Sequence, residues 1–169
     1  MSVTSFTKKR PTRVLFVCLG NICRSPTAHA LFQAQVNEQG LDKAILIDSA
    51  GTGDWHVGAP PDKRAQQTAL DHGFDMSHLT ARQVSESDFD RFDYILGMDK
   101  DNLEHLLALR PSHYRGVLGL FLTESGIAAG KDEVPDPYYG DDQHFEAAIQ
   151  LIKDAVDGLL IRIKQDHCL

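Results

Sequence analysis

The amino-acid sequence predicts a single α/β domain in which helices cover both faces of a parallel sheet. Three observations lead to this prediction. Short apolar runs alternate with segments of helical periodicity, the length of 169 residues is that of one domain, and glycine-containing polar loops follow the first two apolar runs. Because open α/β sheets bind ligands beyond the carboxyl ends of their strands, we expect the functional site at these loops.

Four apolar runs are predicted strands. Each is short and mainly apolar, as expected of strands that are buried between two layers of helices. The connections between them are long enough to hold crossover helices, so parallel pairing with right-handed crossovers is expected. In chain order the predicted strands cover residues 13–17, 44–48, 92–98 and 117–121.

The predicted helices are recognised by apolar residues at helical spacing and by their start and stop signals. Ser25 is the predicted N-cap of the first helix, Pro26 lies in its first turn and Gly40 follows its end. Asp99 is expected to cap the third helix and to have no other role. The predicted helices cover approximately residues 25–39, 62–72, 99–109 and 145–163.

Composition excludes several classes of protein. The net charge of −7 argues against nucleic-acid binding, because a phosphate backbone requires a basic surface. No segment resembles a signal peptide or a membrane span, and three cysteines without framework spacing fit a reducing compartment, so a cytoplasmic location is expected. Residues 1–11 are polar and are predicted to form a flexible extension before a domain that covers residues 12–169.

The most informative segment follows the first predicted strand and reads Cys18-Leu-Gly-Asn-Ile-Cys-Arg24, after which a helix begins. A strand-loop-helix unit of this kind directs backbone N–H groups and the positive end of a helix dipole at one point, which suits an anion. In that field Cys18 is expected to form a nucleophilic thiolate. The guanidinium of Arg24 can hold two oxygens of a phosphate. The segment therefore predicts a site for phosphate chemistry.

A second candidate lies in the segment Val134-Pro-Asp-Pro-Tyr-Tyr-Gly140. Prolines on both sides of Asp136 stiffen the backbone, so the carboxyl group is presented at a fixed position. By itself such a segment is usually a turn. Beside a nucleophilic cysteine, however, the carboxyl group of Asp136 can act as a general acid. Expulsion of a phenolate requires a proton donor on the face opposite the attacking sulfur.

These two motifs closely resemble those of the low-molecular-weight protein tyrosine phosphatases. The segment Cys18-Leu-Gly-Asn-Ile-Cys-Arg-Ser-Pro26 matches the family's phosphate-binding loop, and Asp136-Pro-Tyr-Tyr139 matches its general-acid motif. The resemblance covers approximately residues 12–164 and implies a four-stranded sheet. It also implies hydrolysis of phosphotyrosine in proteins through a phosphocysteine intermediate. Cys18 would be the nucleophile, Arg24 would bind phosphate and stabilise the transition state, and Asp136 would be the general acid and base, without a cofactor or metal.

The resemblance further implies roles for the surrounding residues. Ser25 would assist the Cys18 thiolate, and the loop would be held by Asn21, Ser49 and His78. Cys23 would form a reversible disulfide with Cys18 that protects the nucleophile from overoxidation. The substrate-binding residues implied are Leu19, Gly20, Asn21, Ile22, Cys23 and Arg24 in the loop and Trp55, Tyr138 and Tyr139 at the cleft walls. The expected partner is a phosphotyrosine protein, with a tyrosine kinase as one candidate, and the expected state is a monomer or a weak dimer.

Three alternative functions are considered, and for each the sequence has a feature that argues against it. Arsenate reductases share the loop but are expected to carry further cysteines in the middle of the chain, and none lies between Cys23 and Cys168. A phosphocarrier domain that accepts phosphate on cysteine needs no leaving-group acid. A non-catalytic phosphotyrosine-binding module does not require a nucleophile or a general acid, so the presence of Cys18, Arg24 and Asp136 together argues against it.

Overall fold

A computed structural model describes residues 9–127 and 130–169 of the chain. Of the predicted extension at residues 1–11, residues 1–8 lie outside the described part, and Arg10 pairs with Asp93 at 2.6 Å. No helix in these described ranges is both long enough and apolar enough to cross a membrane. The elements in chain order are β1 Thr12–Cys18, α1 Arg24–Glu38, β2 Ile45–Gly51, α2 Lys63–Asp71, a 3₁₀ helix Glu86–Asp90, β3 Tyr94–Gly97, α3 Lys100–Leu109, β4 Val117–Leu120, α4 Phe121–Glu124 and α5 Asp142–His167.

The strands form one parallel sheet in the order β2-β1-β3-β4, which confirms the predicted α/β class. After β1 the chain crosses to β2 on one side, and after β2 it returns to β3 on the other side of β1. The direction of winding therefore changes between β1 and β3. In open sheets ligands bind beyond the carboxyl ends of the strands at such a point.

The central strand β1 is buried on both faces of the sheet. Val14 and Phe16 pack into the larger apolar cluster with α1, α2 and α5, whereas Leu15 and Val17 pack into a smaller cluster with α3 and the 3₁₀ helix. All four side chains are fully buried, as the alternation of a strand between two helical layers requires. Core packing on both sides therefore holds the end of β1, where Cys18 lies.

The start of α1 differs from the prediction. Its N-cap is Cys23 rather than Ser25, and within the described part of the chain the Cys23 side chain makes no cap hydrogen bond. Pro26 occupies the third helical position and has no N–H, so the usual hydrogen bond from that position to an N-cap side chain cannot form. Arg24 and Ser25 lie inside the first turn instead, and their side chains point to other partners. After the last strand, Phe121 begins α4 instead of ending the fourth strand as predicted.

Candidate active site

The segment from Cys18 to Arg24, here called the Cys18 loop, is held by Asn21. Asn21 has a backbone φ of +57°, a left-handed conformation that asparagine tolerates better than most residues. Its side-chain amide donates to Ser25 Oγ at 2.8 Å and to Ser49 Oγ at 3.1 Å. Its side-chain oxygen accepts from the backbone N–H of Arg82 at 3.0 Å. Three hydrogen bonds therefore fix the sharp turn at the centre of the loop.

The end of β2 supports the same loop from the side. Backbone N–H groups of Thr52 and Gly53 donate to the carbonyl oxygens of Cys18 and Leu19, each at 2.9 Å. A Cβ atom at Gly51 would lie 2.8 Å from the carbonyl oxygen of Leu19. This close approach of two backbones requires glycine at position 51 in the present geometry.

Cys18 is buried at the end of β1, and its sulfur lies 3.0 Å from Ser25 Oγ. Ser25 Oγ also lies 3.3 Å from the carbonyl oxygen of Ala50 and accepts from Asn21. The single Ser25 proton has two acceptors within reach, the Ala50 carbonyl oxygen and the Cys18 sulfur, and a thiolate attracts it more strongly because it is charged. A hydrogen bond of this kind stabilises a thiolate.

Arg24 is almost fully buried beside Cys18. Its Nη1 donates to Asp99 Oδ2 at 2.6 Å and to the carbonyl oxygen of Val134 at 2.9 Å. Burial alone would lower the pKa of Arg24, but the negative charges of Cys18, Asp99 and Asp136 outweigh it, so its pKa lies above the ordinary value. The guanidinium is therefore a permanent cation whose orientation is set by the two contacts of Nη1.

Asp99 has a role that the sequence did not predict. It caps α3 as expected, with Oδ1 accepting from the N–H of Asn102 at 2.8 Å. Its second oxygen accepts from Arg24, so the expectation that Asp99 only caps a helix is wrong. An aspartate between a strand and a helix has the same sequence pattern whether it only caps the helix or also binds an arginine. Asp99 reaches Arg24 only because β1 and β3 are adjacent in the sheet.

Asp136 contacts the other terminal nitrogen of the same arginine. Its Oδ2 lies 3.4 Å from Arg24 Nη2, and its side chain is 34% exposed. Its Oδ1 accepts from the backbone N–H of Tyr138 at 3.1 Å. The structure therefore brings Cys18, Arg24 and Asp136 together, as their predicted roles require.

A cleft of about 290 Å³ opens above these residues. The predicted wall residues Trp55, Tyr138 and Tyr139 line it, and the two tyrosine rings meet edge to face with centroids 4.9 Å apart. His56 was not predicted, although it lies beside Trp55 in the same glycine- and proline-rich loop. The residues around the cleft are Cys18, Leu19, Gly20, Ile22, Cys23, Arg24, Trp55, His56, Asp136, Tyr138 and Tyr139.

The histidine that contacts the loop support is His29, not His78. Nδ1 of His29 lies 3.3 Å from Ser49 Oγ, whereas His78 is exposed and makes none of the described hydrogen bonds to Asn21, Ser25 or Ser49. Burial lowers the pKa of His29 to about 4, against the opposing effect of Asp48. A neutral imidazole can accept the Ser49 proton, which completes a chain of hydrogen bonds from Asn21 through Ser49 to His29.

Cys23 lies in the same loop as Cys18, and both are buried free thiols. Burial raises the pKa of the Cys23 thiol, and the nearby Asp62 and Cys18 raise it further. Cys23 is therefore a neutral thiol beside the candidate nucleophile. The described residues contain no group of three or more histidine, cysteine or carboxylate side chains that could hold a metal ion.

Comparisons with known proteins agree with this geometry. The family model described as low molecular weight phosphotyrosine protein phosphatase matches residues 13–168. The chain is 43% identical over 160 residues to the low molecular weight protein-tyrosine-phosphatase YfkJ of Bacillus subtilis, with 92% of this chain and 98% of the relative covered. It is 43% identical over 137 residues to the low molecular weight phosphotyrosine protein phosphatase of Homo sapiens, with 81% and 86% covered.

The fold is also shared with a solved member of this group. The crystal structure of YfkJ from Bacillus subtilis has a TM-score of 0.88 with this structure at 39% sequence identity, and the match covers 95% of this chain and 99% of that chain. The family match extends over almost the whole folded domain and includes both motifs that form the cleft. The chain therefore belongs to the low-molecular-weight phosphotyrosine protein phosphatase family.

Proposed function

We propose that this phosphatase hydrolyses phosphotyrosine in proteins through a phosphocysteine formed on Cys18. The enzyme class follows from the family, and the proposed steps rest on the site. The observation that carries the proposal is the convergence of the three side chains, with Arg24 Nη2 only 3.4 Å from Asp136 Oδ2 and Cys18 lining the same cleft. A nucleophile, an anion-binding cation and a proton donor are the groups that phosphate-monoester hydrolysis requires.

The substrate phosphate binds at the open start of α1. Backbone N–H groups of residues 19–24 and the positive end of the helix dipole attract the dianion, since the N-cap residue Cys23 makes no side-chain cap hydrogen bond among the described residues. Nη1 of Arg24 is committed to Asp99 and Val134, whereas Nε and Nη2 retain donor hydrogens for two phosphate oxygens. These donors stabilise the charge that spreads over the equatorial oxygens in the transition state.

In the first chemical step the Cys18 thiolate attacks phosphorus in line with the leaving oxygen. The S–P bond forms as the P–O bond to tyrosine breaks, and the bonding electrons leave with the phenolic oxygen. Asp136 donates its proton to that oxygen, so tyrosine departs as a neutral phenol. The products are the phosphocysteine and the Asp136 carboxylate.

In the second step water hydrolyses the phosphocysteine. The Asp136 carboxylate accepts a proton from the attacking water, the P–S bond breaks, and its electrons return to sulfur. The Ser25 hydroxyl, 3.0 Å from the sulfur, stabilises the departing thiolate. Inorganic phosphate leaves, and both catalytic side chains return to their initial protonation states.

The substrate class follows from the shape of the cleft. Aromatic rings at Trp55, Tyr138 and Tyr139 favour an aromatic phosphate ester, which extends far enough to place its phosphate in the Cys18 loop. A phosphotyrosine protein in the cytoplasm is the proposed substrate, and a tyrosine kinase is one candidate. A monomer or weak dimer is the proposed state. These last points rest on the family resemblance and on the cysteine content of the chain.

The test is release of inorganic phosphate from a phosphotyrosine peptide and from the matched phosphoserine peptide, in the presence of a metal chelator. We expect the wild-type protein to hydrolyse only the phosphotyrosine peptide, Cys18→Ser to be inactive and Asp136→Asn to be strongly impaired. Binding of the phosphotyrosine peptide by a wild-type protein that releases no phosphate would contradict the proposal and indicate a binding module.

A further inference from the structure

The proposed acid Asp136 lies in a segment that is attached to the start of α3. This segment, residues 132–137, is here called the acid segment. Glu133 Oε2 accepts from the backbone N–H of Lys100, the first residue of α3, at 2.8 Å. The Lys100 ammonium also pairs with Asp132 at 3.1 Å, but these two side chains are 65% and 51% exposed. The bond from the helix amide to Glu133 is also exposed, but it is the stronger attachment because a carboxylate at a helix N-terminus interacts favourably with the helix dipole and only one flexible side chain has to be ordered.

The hydrogen bond of Glu133 lies next to Val134, which contacts the active-site arginine Arg24. Val134 follows Glu133, is fully buried, donates its N–H to the carbonyl oxygen of Met98 at 2.8 Å and accepts from Arg24 at 2.9 Å. Pro135 and Pro137 flank Asp136 and restrict the backbone on both sides. Glu133 and the two hydrogen bonds of Val134 therefore hold the start of the stiff unit that carries Asp136, and loss of the Glu133 bond leaves Val134 to hold it alone.

We propose that Glu133 is a positioning residue for proton transfer by Asp136. By accepting from the first amide of α3, it fixes the acid segment to the same helix start whose cap, Asp99, orients Arg24. The acid and the phosphate-binding arginine are thus aligned on one rigid element. The inference rests on the proposed role of Asp136 as the general acid.

A general acid matters most when the leaving group is strongly basic, which gives this role a specific signature. The experiment compares kcat/KM across aryl phosphates from phenyl phosphate to 2,4-dinitrophenyl phosphate, because kcat/KM reports phosphoryl transfer to Cys18. For Glu133→Ala we expect about a tenfold loss with phenyl phosphate and less than about a twofold loss with 2,4-dinitrophenyl phosphate. Glu133→Gln retains an oxygen acceptor and should recover most of the activity.

Two control variants separate positioning from helix capping. Asp101→Asn removes an exposed carboxylate from the first turn of the same helix, and within the described ranges Asp101 makes no hydrogen bond to the acid segment. Lys100→Ala removes the exposed ion pair but leaves the backbone N–H in place. Both should keep the wild-type dependence on leaving-group basicity. Thermal unfolding verifies that each variant is folded, and Glu133→Ser is the substitute if Glu133→Ala is not.

An equal loss across the whole series for Glu133→Ala, or no loss at all, would overturn the proposal, since a displaced acid must affect basic leaving groups more. Asp136→Asn is measured in parallel. If Asp136→Asn does not steepen the dependence on leaving-group basicity, then the proposed function of Asp136 fails. If Asp136→Asn steepens it and Glu133→Ala does not, only the positioning role of Glu133 fails.

Discussion

Helices α1 and α3 begin at the carboxyl ends of the neighbouring strands β1 and β3, yet their first turns are satisfied in opposite ways. The N-cap of α1 is Cys23, which makes no side-chain cap bond, and the first turn of α1 has no acidic residue. The N-cap of α3 is Asp99, which forms a capping box with Asn102, and Glu133 accepts from its first amide. The positive end of α1 is therefore left for the substrate, whereas that of α3 is neutralised by the protein.

Arg24 connects the two helix starts. It is the first residue of α1, and its guanidinium donates to the cap of α3 at 2.6 Å. One helix start therefore binds the phosphate, and the other orients the side chain that holds it. Division of these two tasks between adjacent helices explains why the second helix needs carboxylates and the first must lack them.

The largest expected effect comes from breaking this connection at Arg24. In Arg24→Lys the ammonium cannot contact Asp99, the carbonyl oxygen of Val134 and two phosphate oxygens together. We therefore expect kcat/KM for a phosphotyrosine peptide to fall about a thousandfold. Steady-state kinetics measure the loss, and Arg115→Lys is the control, because the described hydrogen bonds of this exposed arginine go to backbone carbonyl oxygens. Near wild-type activity of Arg24→Lys would show that a point charge is sufficient.

A smaller effect is expected for His29, which belongs to the hydrogen-bond chain that holds the loop before α1. The quantity affected is the pH dependence of the free energy of unfolding. His29 has a pKa of about 4 in the folded protein against an ordinary 6.5. Between these values the unfolded chain binds a proton that the folded protein does not, so stability falls as the pH is lowered from 6.5 towards 4 and levels off below. From about pH 7.5 to about pH 5 the contribution of His29 is a loss of about 2 kcal/mol.

Urea unfolding at the two pH values measures this contribution. His29→Gln cannot be protonated, so its free energy of unfolding should change less with pH than that of the wild type. His105→Gln replaces an exposed histidine and should retain the wild-type pH dependence. The same pH dependence in the wild type and in His29→Gln would show that His29 is not the group responsible.

The next prediction concerns Asp99, the N-cap of α3, whose carboxylate also orients Arg24. Asp99→Asn keeps an oxygen that can cap the helix but removes the charge that pairs with the buried Arg24. We expect kcat/KM to fall about tenfold because the guanidinium is less well oriented. Asp141→Asn is the matched control, since Asp141 also caps a helix and contacts the ring nitrogen of a basic residue, His144, at 2.8 Å. Equal losses in the two variants would show that capping, not the orientation of Arg24, is responsible.

Much of the fold and the centre of the site were predictable because their signals are local. Apolar runs of strand length predicted the four strands, and the spacing from Cys18 to Arg24 predicted the loop within one short segment. The two prolines around Asp136 gave a similarly local signal. The error at Ser25 was also local, since a serine before a proline has the sequence pattern of an N-cap whether its hydroxyl caps the helix or contacts Cys18.

The residues that were missed act across the sheet. Asp99 is 75 positions from Arg24 in the chain, and they meet only because β1 pairs with β3. His29 contacts Ser49 because α1 packs beside β2, whereas the resemblance favoured His78. A histidine on a helix face has no distinctive sequence pattern that reveals such a partner. Contacts of this kind depend on strand order, which sequence periodicity does not specify.

The smallest effect on the resting enzyme is expected at Cys23, the uncapped N-cap of α1. The hydroxyl in Cys23→Ser is as buried as the thiol that it replaces, and it can accept from the N–H of Ser25 at the second helical position, so we expect stability to change by less than about 1 kcal/mol. Phosphatase activity before oxidation should also remain within about twofold of the wild type.

The consequence appears after treatment with hydrogen peroxide. Peroxide oxidises the Cys18 thiolate to a sulfenic acid, and the neighbouring Cys23 thiol displaces water from it to form a disulfide that added thiol reduces. The wild type should therefore recover activity on addition of dithiothreitol, whereas Cys23→Ser should proceed to the sulfinic acid and remain inactive. Mass spectrometry distinguishes the disulfide from the sulfinic acid. Cys168→Ser, which removes the exposed terminal thiol, is the control and should recover as the wild type does. Equal recovery of wild type and Cys23→Ser would show that the open start of α1 contributes an anion site but no protection of its nucleophile.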